Sequence, residues 1–276
     1  MTTSTIREVV LCADDYALNA PVSQGIVALV VLGRLSATSV MSLSPRWAED
    51  AVALRDVRDR LDVGLHLDWT SSFAIEAGHG SGLSVVMARA ALRLYSQQRI
   101  EDEIERQLDA FEAHWQAVPD HIDGHQHVQQ FAVFRHALAN VLLRRYGQAL
   151  QRPWLRVSQV AQPGLKAKVI SAMGSQGLQQ WAQTNQWPCV GPLLGAYGFD
   201  GSMDGYARHM QGWLVNLPHD KPALIMCHPA VSAQADDEIG TARKREFAYL
   251  AGHDFVQHMF DAGVRLVRGS GKPIET

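Results

Sequence analysis

One short segment carries three imidazoles and a carboxylate at two-residue spacing: His121, Asp123, His125 and His127. A β-strand projects every second side chain to the same face, so this spacing predicts a polar row that faces a site. Imidazole and carboxylate groups together are typical ligands of a divalent transition metal. Because a strand rises about 3.3 Å per residue, the outer two histidines would lie roughly 20 Å apart and cannot share one ion. The first hypothesis is therefore a metal-dependent hydrolase that uses only part of this row.

Other polar groups of the same kind stand where short apolar segments end. They are Asp14 and Asp15 after the first segment, His66 and Asp68 at the end of the third, His125 just after Asp123, and His228 after Leu224-Ile225-Met226-Cys227. In a barrel and in an open doubly wound sheet, ligands bind at the carboxyl ends of parallel strands. Four segments that end in such groups therefore predict one common site.

These groups are suited to hydrolysis. Asp15, His66 and His125 would offer an ion one carboxylate and two imidazoles and leave positions open for water and substrate, as catalytic metal sites do. Of the adjacent acids Asp14 and Asp15, one can bind the metal while the other handles protons. His228 precedes a proline that ends its strand, and its imidazole could protonate a leaving amine there. Asp123 and His127 would be hydrogen-bond partners of the ligands or substrate contacts.

The scaffold follows from the alternation of short apolar runs with helical patterns, which predicts βα units around a parallel sheet. The predicted strands are 8–12, 36–43, 61–67, 121–123, 154–157, 223–227 and 265–267, and the clearest helices are 19–32, 100–115 and 131–146. Seven such strands fit a closed barrel or an open doubly wound sheet. Segments 70–98 and 158–205 are rich in glycine, the first also in serine, and are predicted as loops, which either cover a substrate or are ordinary surface connections.

The composition bounds the remaining choices. At 276 residues and 30.4 kDa, with 47% hydrophobic residues, the chain can form one large core, and we expect a single domain over 1–276. A net charge of -3 without runs of like charge argues against a nucleic-acid partner. No apolar stretch approaches the length of about 20 residues that spans a membrane. The cysteines lie in apolar segments and are expected to be reduced core thiols of a cytoplasmic protein, at Cys12, Cys189 and Cys227.

Several ordered segments resemble the YdjC-like carbohydrate deacetylase family, whose (β/α) barrel is related to that of the NodB-type polysaccharide deacetylases. They are LCADDY at 11–16, GRLSATS at 33–39, VGLHL at 63–67, HIDGHQHV at 121–128 and MCHPA at 226–230. The resemblance spans most of the chain. It implies a fold of the α/β class, a single (β/α) barrel that is seven-stranded or irregular.

The resemblance also implies a reaction, the removal of an acetyl group from an N-acetylated carbohydrate by metal-activated water. Asp14 would be the base and His228 the acid. Asp15, His66 and His125 would bind one divalent ion, magnesium or zinc. Family members are usually described with magnesium, whereas the imidazole-rich ligand set suits zinc or another transition ion better.

The predicted partner is a small carbohydrate, and the apolar helix faces leave a homodimer open. The side chains expected to contact the carbohydrate are Asp68, Trp69 and His127, with the indole as a stacking surface. The chain departs from the family pattern at Tyr16-Ala17, where Phe-Gly is common, and at Gln129, where another histidine is common. Neither departure removes a proposed ligand, so the expected reaction stands more firmly than the family's substrate.

Two other functions are compatible with the same residues. Asp14, Asp68 or Asp123 could supply the paired carboxylates of a metal-independent glycosidase, although the histidines would then have no role. A catalytically silent sugar-binding barrel would keep the scaffold without turnover, because one barrel fold hosts many functions.

Overall fold

The structure is a computed structural model that describes residues 6–159 and 174–275. All the strand pairs in its sheet are parallel. The strands are β1 Arg7–Tyr16, β2 Ala37–Val40, β3 Asp62–Leu67, β4 His121–Gly124, β5 Trp154–Arg156, β6 Cys189–Val190, β7 Leu193–Leu194, β8 Ala223–Cys227 and β9 Val264–Leu266. Their order is β6-β5-β4-β3-β2-β1-β8-β7, and β9 pairs with the start of β1.

Two very short strands join the ends of this order. β6 pairs with β5 and β7 pairs with β8, so the run 189–194 connects the two edges of the sheet. Gly191-Pro192 separates β6 from β7, because the proline has no amide hydrogen to continue the hydrogen bonding between strands. The predicted (β/α) barrel is confirmed. It has seven strand positions when β6 and β7 count as one interrupted strand, with β9 as an addition.

Helices connect the strands. They are α1 Ala20–Val31, α2 Trp47–Arg55, α3 Ser72–Glu76, α4 Leu83–Ala91, α5 Gln97–Trp115, α6 Ala132–Tyr146, α7 Ser175–Thr184, α8 Met203–Val215, α9 Gly240–Ala251 and α10 His253–Asp261, with a 3-10 helix at His125–Gln130. Among the described residues, no helix is both long and apolar enough to cross a membrane.

The three helices predicted from the sequence are confirmed as α1, α5 and α6. Asn19 caps α1, because its side chain accepts a hydrogen bond from the Val22 amide at 3.0 Å. The apolar stripe of α5 is buried, as its helical spacing predicts. These helices cover the outside of the sheet and leave its carboxyl-end rim to polar side chains.

The prediction that 70–98 is a loop was wrong, because this segment contains α3 and α4. The hydroxyl of Ser71 caps α3, and α4 buries Val86 and Ala90 against the core. One cap and two buried side chains are enough to form these helices, although the segment is rich in small residues. The described part of 158–205 likewise contains α7, β6, β7 and the start of α8. Residues 160–173 of that predicted loop lie outside the described residues.

Smaller corrections concern strand ends and one thiol. β2 is shorter than the predicted 36–43, and β1 runs on to Tyr16, so that Asp14 and Asp15 lie inside the strand instead of after it. Cys12 and Cys227 are buried, but Cys189 is exposed, and the prediction of a third core thiol was wrong. In the two-residue β6 the inward position belongs to Val190, and alternation turns its neighbour outward.

A close contact between β3 and β4 gives the first testable prediction. A Cβ at Gly64 would overlap the ring of His121, which stacks on Trp154 with centroids 4.2 Å apart. Because this core is packed, Gly64→Ala should lower the free energy of unfolding by about 1–3 kcal/mol or more. Gly82→Ala is the matched control, since no heavy atom lies within 4 Å of its Cβ. Equal midpoints for both variants in urea denaturation would contradict the prediction.

Candidate active site

Three donor groups converge at the carboxyl ends of β1, β3 and β4. The Oδ1 atom of Asp15 lies 3.4 Å from His66 Nε2 and 3.0 Å from His125 Nδ1. Asp15 and His66 are the penultimate residues of their strands, and His125 directly follows β4. The structure therefore brings the three predicted ligands together, with donor atoms all within 4.8 Å of one another. That they bind an ion stays a prediction.

An irregularity near the end of β1 turns both adjacent acids toward the site. The register between β1 and β2 shifts between Ala13 and Tyr16, and Asp15 has a φ of 70°. In a regular strand, neighbouring side chains point to opposite faces, whereas a bulge re-aims one of them. Asp14 and Asp15 can consequently both be buried among the polar groups of the barrel. Aspartate is one of the few residue types that tolerate this left-handed backbone region.

The second nitrogen of His66 is held by another carboxylate. His66 Nδ1 lies 2.6 Å from Asp123 Oδ1, and the hydroxyl of Ser39 donates to Asp123 Oδ2 at 2.6 Å. A carboxylate at this position fixes the ring of a ligating histidine and leaves Nε2 as the donor atom. Burial would lower the pKa of His66, but Asp123 raises it to about 10. Without a metal, the His66 ring is therefore protonated on both nitrogens. It lies between two carboxylates that accept its protons, Asp15 at Nε2 and Asp123 at Nδ1.

Asp15 presents only one oxygen to the two histidines. Its Oδ2 accepts a hydrogen bond from Arg243 at 2.7 Å, and the same guanidinium donates through Nε to Asp237 at 2.7 Å. Burial alone would raise the pKa of the Asp15 carboxyl, but Arg243 and His125 hold it well below its usual range. An ionised oxygen and two imidazole nitrogens at these separations fit a divalent metal ion.

A second group of metal-ligand types lies next to the first but has a different structure. Cys12, His121 and Asp123 surround the hydroxyl of Ser39, which is 3.4 Å from the thiol, 3.0 Å from His121 Nε2 and 2.6 Å from Asp123. The hydroxyl occupies the centre of the group and already satisfies these atoms. His121 and Asp123 share the inward face of β4 as predicted, and His121 belongs to a hydrogen-bond network.

The two residues predicted to transfer protons are neighbours. Arg156 donates to both oxygens of Asp14, at 2.7 and 2.9 Å, and His228 Nε2 lies 3.8 Å from Asp14 Oδ2. His228 directly follows β8, so its imidazole stands at the same rim as the predicted ligands. Burial lowers the pKa of His228, and the Asp14 charge acts in the opposite direction. Their roles as base and acid stay predictions.

The predicted substrate contacts are engaged within the protein. Asp68 accepts hydrogen bonds from the backbone amides of residues 70 and 71, and Trp69 is only 2% exposed. His127 Nδ1 lies 3.1 Å from the Ser158 hydroxyl, and burial together with Arg156 lowers its pKa to about 3. Contact of these three side chains with a carbohydrate stays a prediction.

The sequence reasoning missed two buried arginines of the site. Arg156 ends β5 and holds Asp14, and a charged residue inside the predicted strand 154–157 was the signal that could have revealed it. Arg243 reaches Asp15 from α9. Its stretch, Ala-Arg-Lys-Arg-Glu, has the pattern of a solvated helix face, so the sequence offered no comparable signal.

Metal binding should be visible as added stability. If Asp15, His66 and His125 bind an ion, a concentration of 100 times Kd should raise the free energy of unfolding by about 2.7 kcal/mol, or the thermal midpoint by roughly 5–10 °C. The measurement is thermal unfolding of chelator-treated protein with zinc or magnesium added back. Unchanged midpoints with millimolar concentrations of both ions would count against the site.

The fold and this rim define a class of protein: a parallel (β/α) barrel with an Asp-His-His cluster beside an Asp-Arg pair at its carboxyl end. The sequence profile of YdjC-like proteins matches residues 8–259. The chain belongs to the YdjC-like family.

Two solved structures have a similar fold. One is a proposed cellobiose-phosphate cleavage protein from Enterococcus faecalis V583, with a TM-score of 0.72 and 20% identity over 95% of this chain and 97% of that chain. The other is the Xyl-CE4 domain of a multidomain xylanase from the hindgut metagenome of Trinervitermes trinervoides, with a TM-score of 0.51 and 10% identity over 95% and 87%. A comparison with curated proteins gave no match.

Proposed function

We propose that the protein is a metal-dependent hydrolase that removes the acetyl group from an N-acetylated carbohydrate. The observation that carries the proposal is the convergence of Asp15, His66 and His125 next to the Asp14 and His228 pair. One cluster has the donor types of an open metal site, and the other has two groups able to exchange protons. The resemblance to carbohydrate deacetylases and the membership in the YdjC-like family support this function.

Asp15, His66 and His125 would hold one divalent ion, either zinc or magnesium. When bound, the ion supplies Lewis-acid polarisation of the amide carbonyl and lowers the pKa of a water molecule. The two imidazoles favour zinc, and the carboxylate suits both ions. Arg243 and Asp123 orient the donor atoms from behind, through Asp15 Oδ2 and His66 Nδ1.

Asp14 and His228 would handle the protons. Arg156 holds both oxygens of Asp14 in place, and Oδ1 also accepts a hydrogen bond from the Cys12 thiol at 3.7 Å. Oδ2, the oxygen nearer His228, keeps a further lone pair for a proton from the attacking water. As the C–N bond breaks, protonated His228 gives its proton to the departing nitrogen. Asp14 then returns its proton to the imidazole, and acetic acid and a free amine leave. Because 3.8 Å separates His228 Nε2 from Asp14 Oδ2, one water molecule between them would carry this proton.

The glycosidase alternative receives less support from the geometry. It requires one carboxyl group that stays protonated. Asp14 and Asp123 instead share Arg156, at 2.7 and 3.0 Å. Burial would raise the pKa of Asp123, but Arg156 and His66 hold it well below its usual range. Asp68 is committed to backbone amides. The partner we propose is thus a small acetylated carbohydrate.

The test is acetate release from a panel of N-acetylated mono- and oligosaccharides. Metal-stripped protein is assayed before and after zinc or magnesium is added back. Release that returns with one ion supports the proposal and identifies the metal. Chelator-insensitive formation of reducing ends would support a glycosidase instead. A silent panel, with carbohydrate and stoichiometric metal bound, would overturn the proposal in favour of the sugar-binding barrel.

A further inference from the structure

A buried glutamate on α9 contacts the backbone of His228. Glu246 has no exposed surface. Its Oε2 accepts a hydrogen bond from the His228 backbone amide at 2.6 Å, and its Oε1 accepts one from the Tyr197 hydroxyl at 2.6 Å. Distances this short are typical of hydrogen bonds to an ionised carboxylate. Glu246 therefore reaches from a covering helix to the first residue after β8.

Glu246 differs from the other acids of the site because no arginine neutralises its charge among the described residues. Among the described residues, no basic side chain forms an ion pair with it, whereas Asp14 pairs with Arg156 and Asp15 with Arg243. The nearby Arg245 donates to a backbone carbonyl and weakly to Tyr197. Removing a carboxylate from water is unfavourable unless other groups compensate the charge. The hydrogen bonds from the His228 amide and the Tyr197 hydroxyl supply that compensation for Glu246.

The imidazole of His228 has few other restraints. Within the described part of the chain, its Nδ1 is buried and has no hydrogen-bond partner. The ring of Phe199 contacts it edge-on, with centroids 5.2 Å apart. Most histidines that act as acids are oriented by a hydrogen bond to the second nitrogen. Here the fixed points are the backbone amide held by Glu246 and this aromatic contact.

We propose that Glu246 is the positioning residue of His228, fixing the ring beside Asp14 and stabilising its protonated form. This inference rests on the proposed function, in which protonated His228 supplies a proton to the leaving nitrogen. The charged groups that act on His228 are Asp14 and Asp15 from β1 and Glu246 and Arg243 from α9. Both aspartates have arginine partners, whereas Glu246 has no ion-pair partner among the described residues, and its negative charge acts on His228 together with that of Asp14.

The direction of the effect follows from the same charges. Burial lowers the pKa of His228, and Asp14 and Glu246 both oppose that shift. Removing the Glu246 charge should therefore lower the pKa further, so that less of the acid is protonated at a given pH. The alkaline limb of the pH profile of kcat should move to lower pH, by about one unit. KM should stay the same, since Glu246 is buried behind His228 and has no surface for a substrate.

The experiment compares three variants of the full chain loaded with the metal. Glu246→Gln keeps the size and an acceptor for the His228 amide but removes the charge. Glu246→Asp keeps the charge, so the alkaline limb of its kcat profile should lie close to the wild-type pH. Tyr197→Phe deletes the other hydrogen bond to Glu246 and leaves the charge, so its limb should stay near the wild-type position. The pKa of His228, measured by NMR of the imidazole, is the readout independent of turnover.

The proposal predicts a lowered His228 pKa and a shifted limb in Glu246→Gln alone. A wild-type limb and pKa in that variant would overturn it. Equal losses of kcat in all three variants without any shift would also overturn it, because they would show a purely structural role. If wild-type protein releases no acetate, the proposed function fails, while the NMR titration still tests the link between Glu246 and His228.

Discussion

Replacing His66 with alanine is expected to abolish stoichiometric metal binding and to lower acetate release by at least about 100-fold. The imidazole supplies one of three clustered donors, and its Nδ1 is fixed by Asp123 at 2.6 Å. Loss of an outer partner alone typically costs 10–100-fold in affinity or activity, so loss of a ligand should cost more. Only Asp15 and His125 would remain, too few for a stable site. Metal content by mass spectrometry and affinity by calorimetry measure the effect.

The metal-free fold needs its own control in this experiment. In the absence of an ion, the protonated imidazole of His66 lies between Asp15 and Asp123, so its removal leaves two buried carboxylates less well compensated. His66→Gln retains a donor for Asp123 and should fold better than the alanine variant. His136→Ala removes an exposed histidine of α6 and should leave metal content and turnover unchanged. Undiminished metal affinity in a folded His66→Ala protein would place the ion elsewhere.

The sequence predicted the site residues that stand at the ends of strands. Asp15, His66 and His125 each stand at the end of an apolar strand, and the carboxyl ends of parallel strands meet at one rim. That rule needed only the order of residues. It was therefore enough to predict which residues share the candidate site, even though the length of β1 and the existence of β6 and β7 were not predicted.

What the sequence did not reveal depends on contacts between distant elements. Arg243 is separated from Asp15 by most of the chain, and only the packing of α9 against α1 and α8 brings their side chains to 2.7 Å. The register shift in β1 is likewise a tertiary feature, because nothing in Ala-Asp-Asp-Tyr requires a bulge. The α3 and α4 helices were missed for a related reason. Their few apolar anchors matter only once the core is in place.

Asp14→Asn is expected to lower turnover by about 10²–10⁴-fold while the metal stays bound. The substitution nearly preserves shape, but a carboxamide cannot accept the proton of a water molecule, and a positioned base usually contributes a factor of this size. None of the three predicted ligands is changed. The measurement combines kcat with metal content in the same preparation, so that loss of chemistry can be separated from loss of the ion.

The same substitution also disturbs a buried ion pair, and that effect must be removed from the comparison. Asp14 binds Arg156 through both oxygens, so the variant should lose up to about 3–5 kcal/mol in the free energy of unfolding, moderated because Arg156 keeps Asp123 at 3.0 Å. Asp50→Asn is a matched control. Asp50 is a mostly buried carboxylate on α2 that binds Arg46 through both oxygens, at 2.7 and 3.2 Å.

The control variant should lose stability in urea denaturation and keep its turnover, since Asp50 contacts none of the residues assigned to the reaction. Asp14→Asn should lose turnover far beyond what its own unfolded fraction explains. Full activity in a metal-loaded Asp14→Asn protein would exclude this carboxylate as the base. Equal losses of kcat in both variants would show that a weakened fold, and not a missing proton acceptor, causes the defect. Both substitutions replace an arginine-paired aspartate with asparagine, but only Asp14 lies beside the cluster, and its arginine is the more buried of the two.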